Sequence, residues 1–406
     1  MSAPARDLTP TGVSLVDAIA EETLAGFRER GTYRRMRQLA GPQGPRMEVD
    51  GRSVLHFAGS NYLDLAHHPA VVEASAEAAR THGCAAGGSR LICGNLDLHE
   101  ALEDELASFL GVEASLAFST GYMANVGVIP VLARPGDVVL SDALNHASIV
   151  DGCRLSRAEV RVFPHGDVDA LETLLRSEAG GARRLLLALD GVYSMDGDVP
   201  PLVEMTRLAR RYGAIVLLDD AHGCGTLGAR GRGAAEWAGA EAGVDVYVGT
   251  LGKTFGSFGA FVAGSAALRD LLVNAARSFV FTCALAPPQV AAAREALRIA
   301  CAEPERRERL QANAARLRAQ LAARGVSTAP STTHIVPVVV GGNAPTMALC
   351  ERLLALGFYA QGIRHPSVPE GKARLRITPM SSHDDAEIDA LADAISAELP
   401  PALAAT

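Results

Sequence analysis

Apolar and polar positions follow two rhythms along this chain, and the texture changes near residue 290. From about 13 to 30 the apolar residues recur at helical spacing, which predicts an amphipathic opening helix. Val49-Asp50-Gly51-Arg52 predicts a hairpin turn between short strands. Pro69 opens a predicted helix that Gly83 closes. Another predicted helix covers about 97 to 110, with Leu98, Leu102, Leu106, Phe109 and Leu110 on one face. Short apolar runs then recur at 115–118, 137–140, 160–163, 184–189, 214–219, 245–249 and 259–263, most of them separated by helical segments. That alternation predicts a largely parallel sheet covered by helices. Past 290, helices at 287–301 and 304–324, a strand at 334–340, a helix at 345–356, a strand at 373–378 and a last helix after 384 predict a smaller α+β unit. The expected organisation is α/β. A helix-and-hairpin segment (1–60) precedes a large domain (61–290) and a small C-terminal domain (291–406). No internal repeat is present, and an Ala-rich tail ends the chain.

Composition narrows the class. Of 406 residues, 48% are hydrophobic and 21% charged, an ordinary globular balance. A net charge of −8, with no dense basic block, argues against nucleic acid as the main partner. The Arg-rich stretches Arg28 to Arg37 and Arg306 to Arg318 read as solvated helix faces. No apolar run reaches the ~20 residues of a spanning helix, and the N-terminal stretch lacks the form of a signal peptide. The seven cysteines are scattered and never in CxxC spacing, which fits reduced thiols in a cytoplasm, most of them as small core residues.

One count is sharper. Of 38 Lys plus Arg, only Lys253 and Lys372 are lysines. Where arginine serves as the generic cation, a retained lysine suggests a task arginine cannot do. A desolvated lysine loses its proton and attacks carbonyls, whereas arginine stays protonated. Lys372, in VPEGKAR, reads as a surface residue. Lys253 lies between two apolar β-rich runs.

Parallel sheets bind ligands at the carboxyl ends of their strands. The run 214–219 ends in Asp219, Asp220 and His222. GCGTLG (223–228) matches G-x-G-x-x-G, but the loop-like GARGRGAA follows where a dinucleotide site needs a helix. Gly252-Lys253-Thr254 resembles the end of a P-loop, yet Tyr247 stands where that motif requires glycine. No paired-His metal spacing and no G-x-S-x-G elbow is found, so neither a metal centre nor a serine nucleophile is expected. The strand ends suit pyridoxal phosphate instead. Lys253 would carry the imine, and Asp219 would pair with the pyridinium nitrogen. The STGY turn (119–122) would offer N–H groups to the phosphate. His146 in NHAS would face the ring, and GVYSMDGD would offer Ser194.

These motifs resemble the α-oxoamine synthases, fold-type I pyridoxal-phosphate enzymes. SNYLDLAHHP (60–69), SDALNHASIVDGCRLS (141–156), GVYSMDGD, DDAHGCGTLGARGRG (219–233), the lysine loop and ARLRITPMSSH (373–383) carry the resemblance over nearly the whole chain. It implies a mostly parallel seven-stranded sheet and a smaller C-terminal α+β domain. Residue by residue it implies Lys253 as Schiff-base lysine, Asp219 as pyridinium partner, His222 and Ser194 at the ring 3′-oxygen, and His146 stacked on the ring. Gly121, Tyr122 and Thr250 match phosphate contacts. Thr282 matches one supplied by the partner subunit, which implies a homodimer. Asn61 and Arg376 match groups holding the amino-acid carboxylate; a guanidinium suits that bidentate task. Arg364, in GIRHPSVPEG, matches a substrate-binding segment.

The implied reaction condenses an amino acid with an acyl-CoA or acyl-carrier-protein thioester, releasing CoA and CO₂. AAGGSRLICG (85–94) and GIRHPSVPEG resemble the 8-amino-7-oxononanoate synthase branch, which uses L-alanine and a pimeloyl thioester. GTYRRMRQLAGPQGPRMEVDGR (31–52) resembles the glycine C-acetyltransferase branch. Asp64 stands where the family usually has Gly, Cys283 where Thr or Asn is common, and His365 where the synthases have Pro.

Overall fold

The computed structural model describes residues 14–399. Residue 13 of the expected opening helix, the residues before it that were read as lacking a signal peptide, and the end of the Ala-rich tail lie outside them. Helix α1 (Leu15–Glu29) starts at Ser14, whose hydroxyl accepts the Asp17 N–H, and buries none of its residues. The two-residue strand β1 (Leu39–Ala40) precedes the expected hairpin of β2 (Arg46–Val49) and β3 (Arg52–His56). Its turn residues Asp50 and Gly51 sit at φ 50° and 77°, the left-handed pair of a tight two-residue hairpin. Helices α2 (Pro69–His82) and α3 (Asp97–Leu110) follow, with a π-helical turn at Arg90–Gly94 between them.

The alternating region forms as its pattern predicts. In chain order it runs β4 (Ala114–Phe118), α4 (Gly121–Leu132), β5 (Val138–Asp142), α5 (Ala147–Ser156), β6 (Glu159–Phe163) and α6 (Val168–Glu178). Next come β7 (Leu185–Asp190), α7 (Leu202–Arg211), β8 (Ile215–Asp219), α8 (Ala234–Ala238), β9 (Val246–Thr250), β10 (Ala260–Gly264), α9 (Ala266–Ala275) and α10 (Arg277–Val280). The seven strands make one sheet in the order β4-β10-β9-β8-β7-β5-β6. Only β10 runs against the rest. Strands β7 and β8 are buried along nearly their whole length, because helices cover both faces. One apolar cluster, with Leu187, Leu218, Phe261 and Leu297, lies on one face; a second, with Val128, Ile149, Leu217 and Val248, lies on the other.

The remaining elements are α11 (Pro287–Ala302), α12 (Pro304–Ala323), β11 (Val336–Gly341), α13 (Asn343–Ala355), β12 (Phe358–Tyr359), β13 (Gln361–Ile363), β14 (Ala373–Ile377) and α14 (Asp385–Glu398). Helix α11 packs on α2 and α3 and lends Val290, Ala293 and Ala296 to the core of the large sheet. Strands β11-β14-β13 form an antiparallel sheet backed by α12, α13 and α14. Strand β12 pairs in parallel with β3, so the N-terminal hairpin is joined to the C-terminal part of the chain. Phe57 is buried there among Leu317, Leu375 and Ile388.

Two compositional expectations need correction. Four of the seven cysteines are exposed (Cys84, Cys93, Cys283, Cys301); only Cys153, Cys224 and Cys350 are core residues. The arginine stretches are not simply solvated helix faces. Residues 32–38 belong to neither helix nor strand. Arg307 is buried, with its guanidinium on the Ala229 carbonyl.

Candidate active site

Strands β4, β5, β7, β8 and β9 all direct their carboxyl ends to one edge of the sheet, and the chemistry-bearing residues collect there. Lys253 lies in the loop after β9, with its amine 2.8 Å from His222 Nε2. Burial pushes that amine down to about 8; Asp219 opposes the shift and Arg376 adds to it. His222 is held neutral, well below the usual imidazole range, by burial and then by the Lys253 and Arg376 charges. Its Nδ1 meets the Tyr62 hydroxyl at 2.7 Å, and Arg376 donates to the same hydroxyl at 3.3 Å. Arg376, buried on β14, also donates through Nε to the Ser194 carbonyl at 2.5 Å. Lys253, His222, Tyr62, Arg376 and Ser194 thus form one continuous chain.

Asp219 ends β8. It accepts from Asn125 Nδ2 at 2.5 Å and from the Ala221 N–H at 3.0 Å. Its neighbour across the register is Asp190 at the end of β7. Asp190 takes the His146 N–H at 2.7 Å, and burial followed by the Asp219 charge raises it well above the usual carboxylate range. His146 caps α5 and meets Ser148 Oγ at 2.7 Å. Burial keeps it low, and the Asp219 charge opposes that. Beside Asp219, the carboxyl of Asp220 is raised to about 7 by burial. Gly191 and Gly223 close over it, where a Cβ would lie 2.3 and 2.1 Å from Asp220 Oδ1.

Thr120 caps α4, its hydroxyl accepting the Met123 N–H at 3.1 Å. The Gly121 and Tyr122 amides therefore open the helix at the same edge, where the dipole favours an anion. The Tyr122 hydroxyl bonds Asp151. Thr250 Oγ1 donates to the Gly259 carbonyl at 3.1 Å and accepts the Gly252 N–H at 3.2 Å.

A family model described as aminotransferase class I and II matches residues 52–395. This chain belongs to that family. Its place is among the α-oxoamine synthases: it is 50% identical to the 8-amino-7-oxononanoate synthase of Geobacter sulfurreducens, over 90% of this chain and 94% of that one. The synthase of Methylococcus capsulatus is 46% identical, over 93% and 97%. Of solved structures, Sphingomonas wittichii serine palmitoyltransferase superposes with a TM-score of 0.88 at 34% identity, covering 96% of this chain and 98% of that one. The 8-amino-7-oxononanoate synthase from Francisella tularensis superposes at 0.73 with 25% identity, over 85% and 97%. Enzymes of this family work with pyridoxal phosphate. The residues here fit it: an enclosed lysine amine, a strand-end carboxylate for the ring nitrogen, and a helix N-terminus for the phosphate. Asn125 Oδ1, beside that carboxylate, is buried without a partner among the described residues.

Other expected residues lie elsewhere. Asn61 is occupied in its own turn: Oδ1 takes the Leu65 and Ala66 N–H groups, and Nδ2 donates to the Gln43 carbonyl. Arg364 donates to the Gly31 and Tyr33 carbonyls and lines a cleft of about 650 Å³ with Arg34, Arg35, Met347 and Gln361. Gln361 is the cross-strand partner of Arg376, so this cleft begins one strand away from the Lys253 chain. Thr282 sits in a segment beside Ser119 and Gly88 and outside the Lys253 chain. Sequence reasoning missed Tyr62, Asn125 and Asp190. Asn125 had a legible signal, as a lone amide in the apolar helix GYMANVGVIPVL; Tyr62 had none beyond its motif.

Proposed function

We propose that this chain is a homodimeric, cytoplasmic 8-amino-7-oxononanoate synthase that condenses L-alanine with a pimeloyl thioester, carried by CoA or a carrier protein. The observation that carries the reading is the enclosed Lys253 amine, paired with neutral His222 and one tyrosine away from Arg376. Arg376 orients the amino-acid carboxylate. Bound pyridoxal phosphate supplies the electron sink for the α-carbon. Lys253 is the base that takes the α-proton: burial brings its amine down to about 8, so the unprotonated form becomes available close to neutral pH. His222, kept neutral, takes a hydrogen bond from the Lys253 amine at Nε2 and so holds that amine in place.

The cleft one strand from Arg376, where Asp50 and Glu351 are both paired with Arg37, supports an acid-bearing acyl group. Arg34 and Arg35 are exposed and have no acidic partner among the described residues, and Arg364 is pushed down by burial and by Arg34. A terminal carboxylate would relieve that crowding of like charge. The homodimer reading rests on Thr282, which lies outside the Lys253 chain, and on exposed Leu91, Ile92 and Phe281 around it. The phosphate contact of Thr282 would be made in the partner's site.

The test is CoA and CO₂ release from alanine, glycine and serine, each paired with pimeloyl-, acetyl- and palmitoyl-CoA. The fastest turnover is expected for alanine with pimeloyl-CoA. A faster glycine–acetyl or serine–palmitoyl pair would replace this substrate assignment, and sedimentation as a monomer would remove the shared-site reading.

A further inference from the structure

His165 takes no part in the reading above, yet it joins three strand-end loops. It follows β6, and its Nδ1 lies 3.0 Å from Asp142 Oδ1, at the end of β5. Its Nε2 lies 2.7 Å from Asp198 Oδ2, in the loop after β7. The ring of Tyr193 packs edge-on against it at 4.2 Å. Asp142 is fully buried and also fastens backbone: Oδ1 takes the Leu144 N–H at 2.8 Å, and Oδ2 takes the Gly166 N–H at 2.9 Å. Leu144 is two residues before His146. Asp198 is four residues after Ser194, and its carbonyl takes the Tyr193 N–H. The loops on either side of His165 therefore carry His146 and Ser194.

We propose that His165, as an imidazolium clamped between Asp142 and Asp198, is a positioning residue that sets the His146 and Ser194 loops against each other. Both ring nitrogens face a carboxylate, so both must donate, and only the doubly protonated ring has two donors. The two carboxylates hold the imidazole at about 10 against the opposing pull of burial. The groups facing the ring are Asp142 from β5, and Asp198 and Tyr193 from the β7 loop. The ion pair of Asp196 with Arg374 lies on the same loop but is directed to β14. A charge-assisted clamp of this kind is directional, whereas a packed leucine would hold the loops together without fixing their register. Misplacing His146 or the Ser194–Arg376 contact by about 1 Å is enough to cost ~10²-fold in rate.

The inference rests on the active-site reading but not on the acyl donor, so each step is read on the holoenzyme by visible absorbance as well as by turnover. Asp198→Asn keeps the shape and removes one carboxylate, so the imidazolium loses its proton at lower pH. The clamp is a cation whose hold exists below its pKa and is lost above it. The alkaline limb of kcat, and of the cofactor's absorbance against pH, should therefore move to lower pH in this variant. His165→Gln leaves buried Asp142 and half-buried Asp198 facing a neutral amide, whose two N–H donors sit on one nitrogen and cannot reach both carboxylates as the two ring nitrogens do. Its kcat should fall about tenfold or more. His165→Gln/Asp198→Asn, which removes the unpaired charge, should regain most of that loss. An unmoved alkaline limb in Asp198→Asn, or losses that simply add in the double variant, would overturn the clamp. Failure of all chains, wild type included, to bind pyridoxal phosphate would instead overturn the active-site reading.

Discussion

At the scale of single residues, the base strength of Lys253 is set by opposing neighbours. Burial lowers it, Asp219 pulls it up, and Arg376 pushes it further down. Only the unprotonated amine accepts a proton, so kcat should rise with pH through about 8. Arg376→Gln removes a downward push and should move that limb to higher pH; Asp219→Asn removes an upward pull and should move it to lower pH. The check is kcat against pH at saturating amino acid, and shifts in the same direction in both variants would place the base elsewhere. Lys253 was legible because arginine had taken every other cationic position but one, and Asp219 and His222 because they follow an apolar run. Asn61 shows the limit of that reading. The family resemblance implied a carboxylate ligand; in the structure its amide bonds within the local turn, while Tyr62 beside it reaches His222. Which of two adjacent side chains faces the site depends on the turn, and the turn depends on Asp64 at φ 56°, a conformation that glycine adopts more readily.

At the scale of elements, all seven apolar runs became strands of the large sheet; the inner ones are buried on both faces and show it as an unbroken apolar run, whereas the edge strand β6 leaves Glu159 and Val162 exposed. Strands β12 and β13 were not legible. They have two and three residues, and β12 finds its partner, β3, at the other end of the chain, while β13 pairs with the next strand, β14. The loop from Gly191 to Asp198 depends on a similar long-range fit. Gly197 has φ 71°, and a Cβ there would lie 2.0 Å from the Ile335 carbonyl oxygen. Thr333 fastens the same glycine, its hydroxyl donating to the Gly197 carbonyl at 2.8 Å. Gly197→Ala should destabilise the protein by about 2–4 kcal/mol and weaken the Ser194–Arg376 contact. Gly180, with nothing within 4 Å of its added Cβ, is the control and should change stability by less than ~1 kcal/mol on substitution to Ala. Urea unfolding of both variants decides it; equal midpoints would mean that the loop yields freely.

At the scale of the whole molecule, pH acts on stability through buried groups of two kinds. His56 and His383 are buried neutral, held at about 4 and about 3 by desolvation. Below the unfolded value near 6.5, the unfolded chain takes up protons that the native state refuses, so each of these histidines lowers stability as pH falls from about 6.5 toward its native value. Asp190 and Asp220 act the other way, since burial raises both and the native state holds their protons longer. The observed curve is therefore a difference of opposing contributions, and its shape alone identifies none of them. A single substitution separates them. Neither nitrogen of His56 has a partner among the described residues, and its ring stacks on Tyr359, so phenylalanine can take its place without losing a hydrogen bond. His56→Phe should flatten the fall in unfolding free energy between pH 6.5 and about 4 by ~1.4 kcal/mol per pH unit, while leaving stability near pH 8 almost unchanged. Urea midpoints across that range are the measurement. A variant curve parallel to wild type would mean that His56 titrates normally in the native state and that its apparent enclosure admits water.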